Sequence, residues 1–161
     1  MEAIAEAEAI IIGPGSVFTS VLPNLLVDGI RRAIEMSKGL KLYVCNVATE
    51  RGETDTFAVS DHSHAVYQHI HRQLFHYVVA NNNIPSNGRT ETLQVEPVRI
   101  DGERVDGAAI VASDVVSEDN RYHHDARKLA AALMDLYYQR RPAEQLAPPV
   151  AQAQPQEAAV R

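Results

Sequence analysis

Hydrophobic positions along the chain gather in short runs, and the stretches between them carry apolar residues at helical spacing. Largely apolar runs at residues 10–12, 40–45 and 77–80 predict buried strands, because each is short, rich in β-branched or aromatic side chains, and followed by Gly or Asn. Residues 25–34 and 66–74 show the spacing of amphipathic helices. Alternating strands and helices are typical of an α/β fold with a parallel sheet.

Weaker signals add elements around this framework. The acidic, alanine-rich residues 1–9 favour a helix that leads directly into the first strand. The sequence Ser37-Lys38-Gly39 is expected to end the first long helix, and Ser60 to cap the second. Further strands are predicted at residues 94–98 and 108–112.

The last part of the chain predicts one more helix and then a tail. The helix is expected at residues 125–138, with Asp125 as its cap and with a buried face formed by Ala130, Leu133, Met134 and Tyr137. Residues 142–161 are rich in Ala, Gln and Pro and predict a disordered tail, so residues 1–141 are assigned to the folded domain. Because the first helix feeds straight into a strand, the chain is expected to enter an α/β alternation in its middle, as a fragment would.

Composition narrows the classes of function. The 161 residues, of which 45% are hydrophobic, suffice for one domain with a buried core. A net charge of −6 without a long basic cluster argues against nucleic acid as a partner. No apolar run approaches the roughly 20 residues that cross a bilayer, and the acidic, alanine-rich start is expected to form a helix and not a secretory signal. The single cysteine, Cys45, lies in an apolar run and is expected to be a core residue in a reducing compartment.

Residues 10–24 predict a strand, a glycine loop and a helix start, an order that favours an anion site. Gly13 and Gly15 let the backbone approach a ligand closely, and Pro23 suits the first turn of a helix. Unpaired N–H groups at a helix start favour phosphate. The candidate phosphate-binding residues are Gly13, Gly15, Ser16, Thr19, Ser20 and Asn24. The alternative is a tight strand-to-helix connection with a hydroxyl cap and no ligand.

Two more polar loops, at residues 46–56 and 81–83, also follow predicted strands. The carboxyl ends of parallel strands gather at one edge of a sheet, where ligands bind, so the three loops are expected to converge. Candidate contacts to the rest of the ligand are Asn46, Thr49, Glu53, Thr54, Asp55 and Asn81. Glu53 and Asp55 also suit a cation, sugar hydroxyls or a base; the plainer alternative is a solvated or helix-capping acid.

The histidines do not have the spacing of a metal site. The five histidines within residues 62–76 form pairs two or seven residues apart, whereas ligands on one helical face need separations of three or four. A solvated or partner-facing helix is the preferred interpretation. His123-His124-Asp125 is interpreted as local capping and packing. No nucleophile elbow or Walker loop occurs, so no catalytic residue and no metal ligand are assigned.

Several motifs in a fixed order together resemble one protein family. They are Ile12-Gly13-Pro14-Gly15-Ser16, Thr19-Ser20, Pro23-Asn24-Leu25-Leu26-Val27, Val44-Cys45-Asn46, Gly52-Glu53-Thr54-Asp55 and Asp61-His62. The set is similar to the carboxyl-terminal half of the gluconeogenesis-factor (YvcK-like) proteins, which are related to the 2-phospho-L-lactate transferases (CofD-like). The resemblance spans about residues 3–138 and includes Tyr122-His123-His124-Asp125 before the last helix.

The resemblance implies a three-layer α/β/α Rossmann-like fold with a mainly parallel sheet. The family's amino-terminal half, with its Gly-Gly-Gly-Thr-Gly loop, is expected to be missing here, and half of the pocket with it. The resemblance also implies a cytoplasmic regulator that binds UDP-N-acetylglucosamine, or another phosphorylated small molecule, without turning it over. The implied roles are growth on gluconeogenic carbon sources, cell shape and control of peptidoglycan precursors.

The transferase branch of the family supplies an alternative function. Its members transfer a phospholactyl group to a deazaflavin alcohol with magnesium, so Mg²⁺ is an expected cofactor only in that case. Cys45-Asn46 and Gly52-Glu53-Thr54-Asp55 favour the regulator branch, whereas Ala48 and Arg51 depart from the usual Met-Thr-Gln-Pro sequence of this loop. A third alternative is an interaction module whose open sheet edge and histidine-rich helix contact partners, a homo-oligomer included.

Overall fold

Residues 2–70, 73–84 and 95–140 are described by the computed structural model, and their strands form one sheet. The strands are β1 (Ala9–Ile12), β2 (Leu40–Val44), β3 (Tyr77–Asn81), β4 (Arg104–Val105) and β5 (Ala108–Ser113). Their order across the sheet is β1-β2-β3-β5-β4. The pairs β1–β2, β2–β3 and β3–β5 are parallel, and β4 forms an antiparallel hairpin with β5.

Helices cover both faces of this sheet. They are α1 (Glu2–Glu6), α2 (Leu22–Leu25), α3 (Asp28–Met36), α4 (Val59–Ile70) and α5 (Ala126–Arg140), with a π-helical turn at Val17–Val21. The π-helical turn, α2, α3 and α4 pack on one face, and α5 packs on the other. The predicted three-layer α/β/α class with a mainly parallel sheet is therefore confirmed.

The two cores follow from the two-residue period of a strand. In β2, Tyr43 packs in the core shared with α2, α3 and α4, whereas Leu42 and Val44 pack in the core shared with α5. Val78 and Val79 of β3 divide in the same way. β2 and β3 are buried on both faces and largely apolar, which explains why their apolar runs predicted them to within one residue. The run of β1 predicted its strand equally well, although Ile11 is half exposed.

The predicted continuous helix over residues 25–34 is wrong, because the chain forms two helices there. Pro23 lies in the first turn of α2, as predicted. The backbone then becomes extended at Val27, and α3 starts at Asp28. Arg31 bonds Asp28 at 2.6 Å and Glu35 at 3.1 Å, two pairs that stabilise α3 as a separate helix. The first helix is also shorter than residues 1–9, since α1 ends at residue 6.

The cap predicted for α4 is wrong by two residues, because the N-cap position is that of Ala58. The helix begins at Val59, so Ser60 lies inside its first turn, where the Ser60 N–H donates to Asp101 at 3.1 Å. The capping role falls to Asp61, whose carboxylate accepts the N–H of Ala58 at 2.8 Å.

The histidine-rich stretch is not one solvated helix. His62 is fully buried in the core, whereas His64 and His69 are exposed on the same helix. His76 lies after α4 and just before β3, where its Nδ1 accepts the N–H of Lys41 at 3.1 Å. His71 lies outside the described residues.

The closing helix has its predicted cap but a rotated buried face. Asp125 accepts the N–H groups of Arg127 and Lys128 at 2.9 Å each, which confirms the cap. Leu129 and Leu136 are the buried residues of α5, with Ala132 and Leu133 partly buried, whereas Ala130 and Met134 are exposed. Tyr137 is half-buried. This helix is so rich in Ala and Leu that two neighbouring stripes are apolar, and only the packing selects one.

The strand predicted at residues 94–98 is wrong for its described part. Residues 95–98 make a single antiparallel bridge, between Ala48 and Pro97, and Pro97 has no N–H with which to extend it. Residue 94 and the predicted tail at 142–161 lie outside the described residues. None of the helices described is long and apolar enough to cross a membrane.

Candidate functional site

A cleft of about 680 Å³ opens at the carboxyl edge of the sheet. Its walls are the loops that follow β1, β2 and β5, together with one residue of the segment before β4. The residues that line it are Pro14, Gly15, Asn46, Val47, Ala48, Thr49, Glu50, Arg51, Val95, Asn120, Tyr122, His123 and His124. The volume and the mixture of apolar and polar groups are those of a small-molecule site.

The glycine loop after β1 packs closely on β2. Gly13 has a φ of +84°, and a Cβ atom there would lie 2.9 Å from the carbonyl oxygen of Val44. Only glycine therefore allows the chain to leave β1 in this direction. The next glycine, Gly15, donates its N–H to the side chain of Asn46 at 3.3 Å, which ties the first loop to the second.

Ser16 caps the amino-terminal end of the π-helical turn that follows the glycines. Its hydroxyl accepts the N–H of Thr19 at 3.1 Å, and its carbonyl oxygen accepts those of Ser20 and Val21 at 3.0 and 2.9 Å. Three amides of the predicted phosphate loop are thus used within the turn itself.

The second loop contains a tightly fastened turn at residues 50–54. The N–H of Glu50 donates to the hydroxyl of Thr54 at 2.8 Å, and the N–H of Thr54 returns to the carbonyl of Glu50 at 2.9 Å. Thr54 is completely buried, so its side chain is structural in this arrangement. Asp55 is exposed and accepts the N–H of Gly52 at 2.7 Å, a contact that stabilises the same turn.

Two carboxylates join the first loop to the second. The hydroxyl of Ser16 donates to Glu53 at 2.6 Å. The amide of Asn46 donates to Glu50 at 2.8 Å while its oxygen accepts from Gly15. These contacts place four predicted site residues in one connected network beside the cleft.

The charge state of the cleft is set by burial. Burial, and then the neighbouring charge of Glu53, raise the pKa of the Glu50 carboxyl above its ordinary value. Burial lowers the pKa of His124 and so favours the neutral imidazole. The Nε2 atom of His124 lies 3.1 Å from the carbonyl oxygen of Cys45, and because a carbonyl only accepts, Nε2 carries the proton of that ring.

The remaining predicted contacts, except Thr49, lie away from this cleft. Asn81 is buried, and its oxygen accepts the N–H groups of Asn83 and Val115 at 3.3 Å each, so it fastens the loops after β3 and β5. Gly13, Ser20 and Asn24 line a second, smaller groove of about 340 Å³ along β1. Thr49 lines the main cleft and also pairs with Glu96 through two hydrogen bonds, at 2.8 and 2.9 Å.

Sequence reasoning missed the third loop that forms a wall of the cleft. This wall is formed by Asn120, Tyr122, His123 and His124 in the loop after β5. The same rule that grouped the first three loops applies to this one, since β5 is also parallel to β3. The signal was present in the predicted strand at residues 108–112. Glu50 and Arg51 were also missed as cleft residues.

Burial sets the chemistry of Cys45 and leaves three polar atoms elsewhere without a partner among the described residues. Cys45 is fully buried, as predicted, and burial raises the pKa of its thiol far above the ordinary value, which makes it a poor nucleophile. The hydroxyl of Tyr43, the Nε2 of His62 and the Oδ2 of Asp106 are buried with no hydrogen-bond partner in the described part of the chain. That part also contains no group of three or more His, Cys, Asp or Glu placed to hold a metal ion.

Relatives identified by sequence carry one recurring name. The gluconeogenesis factor of Halalkalibacterium halodurans is 56% identical over 69 residues, which are 43% of this chain and 21% of that protein. A protein of Thermoanaerobacterium thermosulfurigenes, which carries the same name provisionally, is 40% identical over 138 residues, or 83% of this chain and 43% of that protein.

A solved structure shares the fold. The crystal structure of a UPF0052 family member from Bacillus halodurans superposes with a TM-score of 0.76 at 37% identity, and the match covers 83% of this chain and 44% of that chain. The chain thus spans less than half the length of the relatives that it matches.

A sequence model of one protein family also matches this chain. The model described as 2-phospho-L-lactate transferase CofD matches residues 1–116, well over half of the chain. The match includes the glycine loop, the turn at residues 50–54 and the four parallel strands of the sheet. The chain therefore belongs to the CofD family.

Proposed function

We propose that the cleft at the carboxyl edge of the sheet binds a nucleotide sugar of the UDP-N-acetylglucosamine type. The observation that carries this proposal is the cleft itself, which lies where α/β sheets bind their ligands and is lined by Gly15, Asn46 and Thr49. A cleft of about 680 Å³ accommodates a ligand with several polar groups.

In this proposal, the first loop contacts the phosphates of the ligand and the second loop contacts its sugar. The glycine loop, with Ser16 beside it, approaches the phosphates, and the second loop contacts the sugar through Asn46, Thr49 and Glu53. Several of these groups already bond one another, so the ligand would replace contacts such as that of Ser16 with Glu53. Asn81 supports the loop after β5, which forms one wall of the cleft, by accepting the N–H of Val115.

We further propose that the protein acts as a cytoplasmic regulator without turnover. The names of its relatives support a role in growth on gluconeogenic carbon sources, and we extend it to cell shape and the control of peptidoglycan precursors. The absence of an assigned catalytic set in the sequence and the poor nucleophilicity of buried Cys45 favour binding over catalysis.

Calorimetric titration of the chain with UDP-N-acetylglucosamine tests the binding proposal. We expect saturable heat that an Asn46→Ala variant reduces at least tenfold in affinity, because Asn46 joins both loops at the cleft. Asn24→Ala is the matched control, since its side chain donates to Ser20 in the second groove instead. Absence of heat with the unaltered chain, or an equal loss in both variants, would contradict the proposal.

The match to the CofD family model favours one alternative, a phospholactyl transferase. Such an enzyme would use magnesium, which proteins commonly hold with one or two carboxylates, water and the phosphates of the substrate. Glu50 and Glu53, which lie beside the cleft, are the residues that would hold the ion. Transfer of a phospholactyl group to a deazaflavin alcohol, followed by mass spectrometry, would favour this alternative over the regulator.

A further inference from the structure

The charges of the residues that line the cleft point to one side chain, that of Arg51, as the partner of the phosphates. Arg51 is the single Lys or Arg among the residues that line the cleft in the described part of the chain. Glu50 lies next to it in the lining, and burial keeps His124 towards its neutral form. A diphosphate carries about two negative charges, and a cleft with Glu50 and no cation would repel it.

Arg51 is free to take this role. Its guanidinium makes no hydrogen bond or ion pair within residues 2–70, 73–84 and 95–140, and its side chain is exposed. Two other cations of the described residues are already paired: Arg31 bonds Asp28 and Glu35, and Lys128 bonds Asp114. A planar guanidinium with several donors suits the two oxygens of a phosphate group.

The backbone holds Arg51 at the rim of the cleft. The turn at residues 50–54 is fastened by the reciprocal bonds of Glu50 and Thr54, and Thr54 is fully buried. Gly52 follows with a φ of +80° and donates its N–H to Asp55. The main chain of Arg51 is therefore fixed while its long side chain can reach into the cleft.

We infer that Arg51 is the specificity-determining residue that selects diphosphate-bearing ligands over their uncharged counterparts in this cleft. The inference rests on the proposed function for its ligand class, and it assigns to one exposed side chain the task of offsetting the charge of Glu50. The rest of the cleft, including Asn46 and Thr49, would then recognise the uncharged part of the ligand.

The test compares three ligands on four proteins by calorimetry. The ligands are UDP-N-acetylglucosamine, inorganic pyrophosphate and uridine; the proteins are the unaltered chain, Arg51→Gln, Arg51→Lys and Arg99→Gln. Arg99 is the matched control, because it is exposed and does not line the cleft. We expect Arg51→Gln to weaken UDP-N-acetylglucosamine and pyrophosphate at least tenfold, Arg51→Lys to recover part of the loss, and Arg99→Gln to change nothing.

Two readouts separate a role in charge selection from general damage. Uridine affinity should not change in Arg51→Gln, and the affinity of the unaltered chain for UDP-N-acetylglucosamine should fall more steeply with salt than that of the variant. Unchanged pyrophosphate affinity in Arg51→Gln, or an equal loss for uridine, would overturn the inference. If Arg51 governs pyrophosphate while UDP-N-acetylglucosamine does not bind, the proposed function fails and the inference stands. If the unaltered chain binds neither phosphorylated ligand, both fall.

Discussion

Two glycines of the site have the same backbone conformation but different surroundings. Gly13 and Gly52 both have positive φ, yet only Gly13 would place a Cβ against backbone, 2.9 Å from the carbonyl oxygen of Val44. We expect Gly13→Ala to lower the free energy of unfolding by about 3 kcal/mol and Gly52→Ala by about 1 kcal/mol, because the second change meets open space and adds only conformational strain. Urea denaturation of both variants measures the difference. Equal losses would show that the close approach of β1 and β2 at Gly13 is not tight.

The raised pKa of Glu50 makes a prediction about stability and pH. An acid whose pKa is higher in the folded chain contributes stability below its unfolded pKa, and this stability is lost as the pH rises through the folded value. Glu50→Gln removes the ionised carboxylate and keeps an oxygen that accepts from Asn46. We expect the variant to melt about 2 °C higher than the unaltered chain at pH 8, with the difference vanishing near pH 3, where both side chains are neutral. A constant difference across this range would mean that Glu50 acts through packing instead of charge.

At the scale of single residues, the sequence is a better guide to the loops that form the site than to the side chains that face the cleft. Gly15, Asn46 and Thr49 line the cleft as expected of their loops. Thr54 instead satisfies the backbone N–H of Glu50 within its own turn, and Asn81 satisfies that of Val115 in a distant segment. The role of Asn81 depends on which strand lies beside which, and a polar residue carries no local mark of it.

The closing helix offers a direct test of how one element is rotated. Leu136 is buried against the sheet, whereas Met134, on the stripe that the sequence favoured, is 46% exposed. We expect Leu136→Ala to lower the free energy of unfolding by about 3 kcal/mol and Met134→Ala by less than about 0.5 kcal/mol. Chemical denaturation of the two single variants decides between the two stripes. A larger loss in the free energy of unfolding for Met134→Ala would mean that the buried face is the one centred on Ala130 and Met134.

The buried parallel strands were predictable here and the break between α2 and α3 was not, for a physical reason. A strand buried on both faces needs a largely apolar run, which marks β2 and β3, and β1 carries the same kind of run although Ile11 is half exposed. The break between α2 and α3 falls at Leu26 and Val27, two apolar residues that are 56% and 51% exposed. Their spacing continues the helical pattern, and only the three-dimensional path of the chain shows that they leave it.

For the whole molecule, the main consequence of this fold is a cleft that four consecutive parallel strands place at one edge. The order β1-β2-β3-β5 advances in one direction, so the loops after β1, β2 and β5 reach the cleft from both sides of β2 and from the α5 face. The network of Ser16, Asn46, Glu50 and Glu53 then couples the first two loops. A ligand that changes the conformation of one loop would therefore also change that of the other. Such coupling suits the proposed regulator, because binding of the ligand would then change the shape of the protein surface.

A second feature of the whole molecule is the edge of the sheet formed by β1. Among the described residues β1 has a neighbouring strand on one side only, and an apolar groove of about 340 Å³ runs beside it. Ile11 is 49% exposed there, whereas its register partner Leu42 is buried. An uncovered apolar edge with unpaired backbone groups favours association with another strand.

We therefore expect the chain to associate at high concentration through β1. Ile11→Lys places a charge on the edge strand and should shift sedimentation towards the monomer, while lowering the free energy of unfolding by less than about 1 kcal/mol because the side chain is half exposed. Met36→Lys is the matched control, since Met36 is 85% exposed at the end of α3 and away from the edge strand. Sedimentation velocity over a wide range of protein concentration measures the effect. If Ile11→Lys associates as strongly as Met36→Lys, the contact lies elsewhere; if only Ile11→Lys becomes monomeric, the open edge of β1 is the surface through which copies of this chain meet.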